Sequence, residues 1–457
     1  MKPEIHDKFL KLAPCCLLAQ VTLVHLFDPI RLDELFHRVA DTQYHREIFF
    51  SDLFHLMFSV VLRTKPSVLA AYRAAQDELG VSHQAVYSKL AGTDDVISES
   101  LVTDSAIQIR TVIDALNAKR AEPVPGFRAR IVDGNLLSKT ERRLKPLRTT
   151  WARGLPGRAL AVYEPAYDLV THVFLERDAH ADERTRLDDV LELVEPGDLW
   201  IADSHFCTHD IMASIHDAKA FFLIRQHSSL KGRPVGVRRR IGRTDTGEVF
   251  EQELQMIGRA TGRSVRRLTL VLDTPTTDGL TEIHVLTNVP EEQANAIILI
   301  NAYGQRWTIE GRFYEVAQTL NAEPQTLCYP PAALFAFCLG LVASNAVALM
   351  RAAMRSVHGA PAVDAMSNFY VAEEIRETHR GMTIALSLDP TPTTLTMTPT
   401  ELAQYLRVIA SHIDPKRYRK SQRGPKKRSP KKPPYQNGVN HSTQRLLDAQ
   451  KYNEKAP

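Results

Sequence analysis

Cysteine is scarce in this sequence and is not arranged for a covalent or metal framework. Five are present, Cys15, Cys16, Cys207, Cys328 and Cys338, with no C-x-x-C pair among them. An odd, scattered set excludes complete disulfide pairing and argues against a zinc ribbon, so a reducing, cytoplasmic setting is expected. The segment His205-Phe-Cys207-Thr-His209 lacks a second ligand cluster at zinc spacing. No secretory leader is expected, since Lys2, Glu4, Asp7 and Lys8 open the sequence and Gln20 and His25 break the apolar run 12–27. The most membrane-like stretch is Thr326–Met350, uncharged, rich in alanine and carrying Pro330, Pro331, Gly340, Ser344 and Asn345 without flanking anchors. That composition predicts a buried helix in a large core rather than a membrane span, and no membrane partner is expected.

Acid is missing from one place in particular. Between Lys416 and Lys432 there are ten Lys/Arg and no Asp or Glu. Residues 416–457 together hold thirteen Lys/Arg against Asp448 and Glu454, a net +11, which leaves −7 for residues 1–415 out of a total of +4. An acidic body with a basic, aliphatic-poor tail points to a polyanionic partner gripped in part by a flexible segment. Within it, Pro425-Lys426-Lys427-Arg428-Ser-Pro-Lys-Lys432 has the composition of a non-specific DNA grip.

With 457 residues, 44% hydrophobic and 24% charged, the chain suits several globular units. Residues 1–125 read as a helical N-terminal domain. Within it, 78–90 has the form of a helix-turn-helix: Gly80 supplies the turn, Ser82 the cap, Val86 and Leu90 the buried face, and His83, Gln84 and Lys89 point outward. Pro123-Val-Pro-Gly126 then marks a boundary, after which alternation replaces helical spacing. Strands are predicted at 128–133, 158–163, 169–175, 199–203 and 220–225, with helical spacing over 181–194 and from 204 to about 219. Three strands, a helix, a strand, a helix and a strand is the order of an RNase H-like core, here 126–225. A basic, β-rich insertion is predicted over 226–288, containing Arg238, Arg239 and Arg240. The second part of the core is 289–360, with a long helix over 291–321 and the buried helix over 331–356. Helical residues 361–414 and a disordered basic tail, 415–457, complete an α/β chain with helical flanks.

Asp133 closes the first predicted strand and Asp203 the fourth. Carboxylates there stand at the strand mouths, where open sheets place their ligand sites. A third carboxylate lies on the helix Tyr303-Gly-Gln-Arg306-Trp307-Thr-Ile-Glu310. At 100° per residue Tyr303, Arg306 and Glu310 share one polar stripe, beside an apolar stripe of Ile309, Phe313, Val316 and Leu320. Trp307 serves either as an anchor for the helix or as a stacking surface for a base.

Tyr, two residues, Arg, three residues, Glu resembles the Y-R-E-K signature of DDE transposases of the insertion-sequence-four family, over about 130–350. The family signature ends in Lys seven residues after the Glu, where this sequence has Ala317. The resemblance implies that Asp133, Asp203 and Glu310 are catalytic and hold divalent metal, two Mg²⁺ or Mn²⁺ ions, for cleavage of transposon ends and strand transfer. Hard carboxylate oxygens suit those ions. It also implies double-stranded DNA partners (transposon ends and target), a homodimer in the synaptic complex and association with the nucleoid. Tyr303, Arg306, Trp307, Arg238, Arg239, Arg240, Lys426, Lys427 and Arg428 are the expected DNA contacts. Two other readings keep the same sequence features: a catalytically silent DNA-binding descendant, and a metal-dependent nuclease on the same core.

Overall fold

In the computed structural model the described residues are 3–40, 48–257, 264–276, 279–374, 376, 396–420 and 441–455. Their centre is a nine-stranded mixed sheet. It contains β1 (Arg128–Leu136), β3 (Arg158–Glu164), β4 (Leu169–Glu176), β5 (Asp198–Ala202) and β6 (Phe221–Arg225), all close to the expected positions. The order is β4-β3-β1-β5-β6, with β1, β5 and β6 parallel and β3 and β4 antiparallel. The segment expected as a β-rich insertion supplies β7 (Gly232–Thr244), β8 (Gly247–Met256), β9 (Ser264–Leu272) and β10 (Glu282–Thr287). These extend the same sheet, because β10 pairs antiparallel with β6 and β9, β8 and β7 follow in turn. Two-residue β2 (Gly154–Leu155) stands apart, paired with β11 (His441–Ser442).

Helices cover both faces. The N-terminal helices are α1 (Pro3–Leu12), α2 (Pro14–Leu26), α3 (Pro29–Val39), α4 (Phe50–Val61), α5 (Val68–Leu79), α6 (His83–Ala91) and α7 (Asp95–Ala115). Short α8 (Lys145–Arg148), α9 (Leu187–Leu191) and α10 (His209–Asp217) follow between strands. After the sheet come α11 (Ala296–Gly304), α12 (Trp307–Gln318), α13 (Pro330–His358), α14 (Ala360–Asp364), α15 (Pro399–Ser411) and α16 (Thr443–Lys455). α7 and α13 pack on one face of the sheet, with α2, α4 and α15 behind them. α9 and α10 cover the other face over Val132, Trp200, Ala202, Phe222 and Ile224.

The uncharged run is the buried helix expected: 94% of the apolar window of α13 lies inside the fold. One polar side chain on it has a specific task. Opposite Val162 and Tyr163 of β3, the β4 register slips between His172 and Val170. A slip of this kind removes backbone groups from the ladder. Asn345 of α13 satisfies them: its Oδ1 accepts from Val170 N at 2.9 Å and its Nδ2 donates to Val170 O at 2.8 Å. Gly340 on the same helix lets α12 come close, since a Cβ there would lie 2.3 Å from Ala322 Cβ and 2.6 Å from Val316 Cγ1.

Three expectations are corrected. The single helix over 291–321 is two, α11 and α12. The helix over 181–194 is a short 3-10 turn, 183–186, followed by α9. Both ends of the supposedly disordered 415–457 are folded, as a 3-10 turn at Pro415–Tyr418 and as β11 and α16. Leu446 and Leu447, the first large aliphatics of the tail, make the difference: they pack on Leu144, Leu147 and Cys328. The helical hairpin forms with Gly80 at φ +63° and Ser82 as N-cap of α6, and Val86 and Leu90 are buried. Lys89, however, turns inward: its Nζ donates to Ile48 O at 2.5 Å and lies over the Phe36 ring.

Two outcomes follow from the packing. Asn345→Leu keeps volume but leaves Val170 N–H and C=O unpaired in the core, and should cost about 2–5 kcal/mol in urea unfolding; an unchanged midpoint would remove Asn345 as the clamp. Glu99 joins α7 to β4 by accepting from Leu175 N at 2.6 Å. Burial pushes its carboxyl up to about 7. A raised carboxyl favours the protonated fold, so its contribution is full at low pH and is lost as pH rises towards and through 7. Glu99→Gln keeps the acceptor without the charge. It should gain about 1–3 kcal/mol over the parent between pH 5 and pH 8, and parallel pH–stability curves would contradict this.

Candidate active site

The parallel pairing of β1 with β5 sets Val132 opposite Ala202. Asp133 and Asp203 are the next residues on the two strands, so two carboxylates stand side by side where the parallel pairing ends. Asp133 does not close its strand as expected, because β1 runs on to Leu136 paired with β3. Asp203 has left the strand and caps the 3-10 turn 204–206. Its Oδ1 accepts from His205 N at 2.8 Å, and its Oδ2 lies 3.0 Å from His205 Nδ1.

The third carboxylate arrives from α12. Between α11 and α12 the winding tightens: the amides of Gln305, Arg306, Thr308 and Ile309 each bond a carbonyl three residues back. This short 3-10-like passage separates the two helices. Ile309, Phe313, Val316 and Leu320 are buried, as the apolar stripe required. Arg306 is only 5% exposed and bridges the site: one terminal nitrogen is 2.8 Å from Asp133 Oδ2 and the other 2.8 Å from Glu310 Oε1. Glu310 stays partly open, its side chain 43% exposed.

The charge balance is uneven. Burial pushes the Asp133 carboxyl up to about 7; Arg306 opposes this, while Asp203 and Glu310 add to it. The hydrogen bond from Asp203 raises His205 above the usual histidine range. Three carboxylates thus share one electrostatic neighbourhood. Arg306 occupies Asp133 and Glu310, and His205 occupies Asp203. Among the described residues no group of three or more His, Cys, Asp or Glu stands ready to hold a metal ion. The donor set nevertheless fits hard divalent ions, which bind carboxylate oxygens. An ion at those oxygens would have to displace Arg306 and His205 from them.

The remaining expected contacts fare differently. Tyr303 is buried beside Arg306, and burial pushes its hydroxyl up to about 12. In this conformation Tyr303 and Arg306 face the carboxylates instead of offering donors to solvent. Trp307 is 58% exposed with Arg306 stacked on its ring at 4.7 Å, so it does not anchor the helix in the core. The arginine triplet is already paired: Arg238 with Glu282, Arg239 with Glu291 and Arg240 with Glu248. Lys426, Lys427 and Arg428 lie outside the described residues.

Sequence reasoning missed three features. His205 sits two residues from Asp203, an Asx-type spacing that could have been read. Glu183 packs so close to Gly134 that a Cβ there would meet its carboxyl carbon at 2.7 Å. Arg312, its side chain 12% exposed, pairs with Asp168 and Glu315. Asp168 also accepts from the Tyr163 hydroxyl at 2.5 Å. That network ties α12 to the β3–β4 turn, where Asp168 has φ +64°.

The site is a mixed α/β sheet with carboxylates clustered where the parallel pairing of β1 and β5 ends. Residues 125–346 match the family described as Transposase DDE domain. This segment spans every residue of the site, from Asp133 to Glu310, and the match supports a DDE transposase. Among solved structures, a cryo-EM structure of a piggyBac transposase synaptic complex with hairpin DNA is similar at 10% identity and a TM-score of 0.38, covering 89% of this chain and 87% of that one. Among curated proteins none matches.

Arg306 makes the site sensitive to cations. Arg306→Gln removes the bridge and leaves buried Asp133 without its cation, which should cost about 3–5 kcal/mol without divalent ions. Mn²⁺ should recover a larger share of stability in this variant than in the parent, since it replaces the missing charge. Equal Mn²⁺-induced shifts in melting temperature would count against a metal site at these carboxylates.

Proposed function

We propose that this chain is a cut-and-paste DNA transposase of the insertion-sequence-four type, with an RNase H-like core and catalytic residues Asp133, Asp203 and Glu310. One observation carries the reading. The β1–β5 register brings Asp133 and Asp203 to one level, and Arg306 ties Glu310 to the first of them. The strand order β4-β3-β1-β5-β6 supports the RNase H-like core. On this reading the core comprises 126–225 and 289–360, interrupted by 226–288 and flanked by helical 1–125 and 361–414.

Asp133, Asp203 and Glu310 would hold Mg²⁺ or Mn²⁺, two ions in the full site, which activate water or a DNA 3′-OH and stabilise the leaving oxygen when bound. The chain's own residues prepare that site. Arg306 holds the carboxylates together before loading and, once released, is a bidentate donor for a phosphate. Trp307 offers an exposed ring beside it. His205 keeps Asp203 oriented. A homodimer would bring two ends together, and the working location is nucleoid DNA in the cytoplasm.

A second reading has its own support. Ala317 takes the place of the family's Lys, and the carboxylates are occupied by Arg306 and His205, which suits a DNA-binding descendant without activity. The test is incubation of the purified chain with DNA carrying the flanking inverted repeats of its coding region, with Mg²⁺ or Mn²⁺. Cleaved and joined products are expected. Asp133→Asn, Asp203→Asn and Glu310→Gln should each lower cleavage more than about 100-fold while end binding persists. Binding without any product would favour the silent descendant, and free ends without joining would favour a nuclease.

A further inference from the structure

Between β1 and β3 the chain makes an arch, residues 137–153, that the site described above does not use. It carries Lys139, Arg142, Arg143, Lys145, Arg148 and Arg153 against one acid, Glu141. At its crown Trp151 is 97% exposed, the most exposed large apolar side chain among the described residues. The other two tryptophans are Trp200, which is buried, and Trp307, which is 58% exposed.

The arch is held in place, so the tryptophan is presented and not merely loose. Leu147 is fully buried against Leu144, Cys328, Leu446 and Leu447. β11 pairs with β2 at the foot of the arch, and α16 packs on α8. Glu141 N donates to Gln325 O at 2.8 Å, and Arg153 donates to Gln325 Oε1 at 3.1 Å. The arch therefore hangs from β1, which carries Asp133, and from the link between α12, which carries Glu310, and α13. Its other side faces α6 of the helical hairpin, where Tyr87 and Arg143 are close enough to perturb one another.

An exposed indole among cations fits one occupant best. Phosphates meet the cations, and the ring gains only if a flat apolar face covers it. Bases inside a duplex are already stacked on each other; an unpaired base at an opened or released strand end is not. Arg143 is paired with Glu141 at 2.7 Å. We infer that the arch docks an unpaired DNA strand end, with Trp151 stacked on a base and Arg142 and Arg148 on its phosphates. This rests on the transposase reading and adds to it the place where the end waits beside the carboxylates.

The test uses the full chain in EDTA, which prevents cleavage, and two duplexes of the same sequence, one blunt and one with a three-nucleotide overhang containing 2-aminopurine. The parent should quench the 2-aminopurine and prefer the overhang. Trp151→Ala should lose the quench and about 5- to 100-fold in affinity for the overhang, with blunt binding unchanged, and Trp151→Phe should recover part of both. Arg142→Ala with Arg148→Ala should lower the salt slope for the overhang by about 0.7 for each phosphate no longer neutralised. The proposal fails if Trp151→Ala leaves overhang binding and quenching intact. It fails also if vesicles containing phosphatidylserine bind the parent and lose that binding in Trp151→Ala. Unchanged overhang binding together with normal cleavage by the parent would sink the arch and leave the transposase standing. No DNA binding and no cleavage by the parent would sink both.

Discussion

The site turns on one guanidinium. Arg306 is almost fully buried and spans Asp133 within β1 and Glu310 on α12. Removing two or three carboxylates from water at one place is unfavourable without a matching charge. The chain supplies one arginine for that purpose, which is not enough to neutralise all three, and the carboxyl of Asp133 is pushed up accordingly. The result is a site poised for additional positive charge. Because Arg306 comes from the turn that separates α11 from α12, the electrostatic demand of β1 also fixes where α12 begins.

The rest of the core holds α12 to that position. Arg312 ties it to Asp168 and so to the β3–β4 turn. The missing side chain at Gly340 lets it sink against α13. α13 is in turn pinned to the sheet by Asn345 at the irregular register of β4. Each contact uses a different kind of interaction: an ion pair, close packing and a backbone-directed hydrogen bond. A shift of α12 along its axis would have to break the first two while the third keeps α13 in place, which is how a helix distant in sequence from β1 can present Glu310 reproducibly.

Much of this was legible in the sequence, and the failures share a cause. Period-two alternation gave the five strands around Asp133 and Asp203, and period-3.6 spacing gave the buried stripe of α12, because those patterns record local burial. What depended on partners distant in sequence was not legible. Helical spacing is kept on both sides of Gly304-Gln305-Arg306, so the split of the long helix shows clearly only in its tightened hydrogen bonds. The triplet Arg238, Arg239, Arg240 reads as a basic patch until Glu282, Glu291 and Glu248 are brought beside it by strand pairing. Lys89 reads as an outward cation until the Ile48 carbonyl and the Phe36 ring meet it. The return of 441–455 rests on two leucines finding a small cluster far upstream.

These pairings change where a polyanion could be held. A phosphate approaching Asp133, Asp203 and Glu310 meets acid, and the cations expected to receive it are engaged: Arg306 on the carboxylates and the triplet on glutamates. Attraction must then come from the rim. The arch over 137–153 is the one cation-rich element among the described residues that hangs from both catalytic segments. On the far side of the arch β11 pairs with β2 at its foot, and Lys420 donates to Asp364 O. The overall charge of +4 conceals this division between an acidic body, 1–415, and a basic margin.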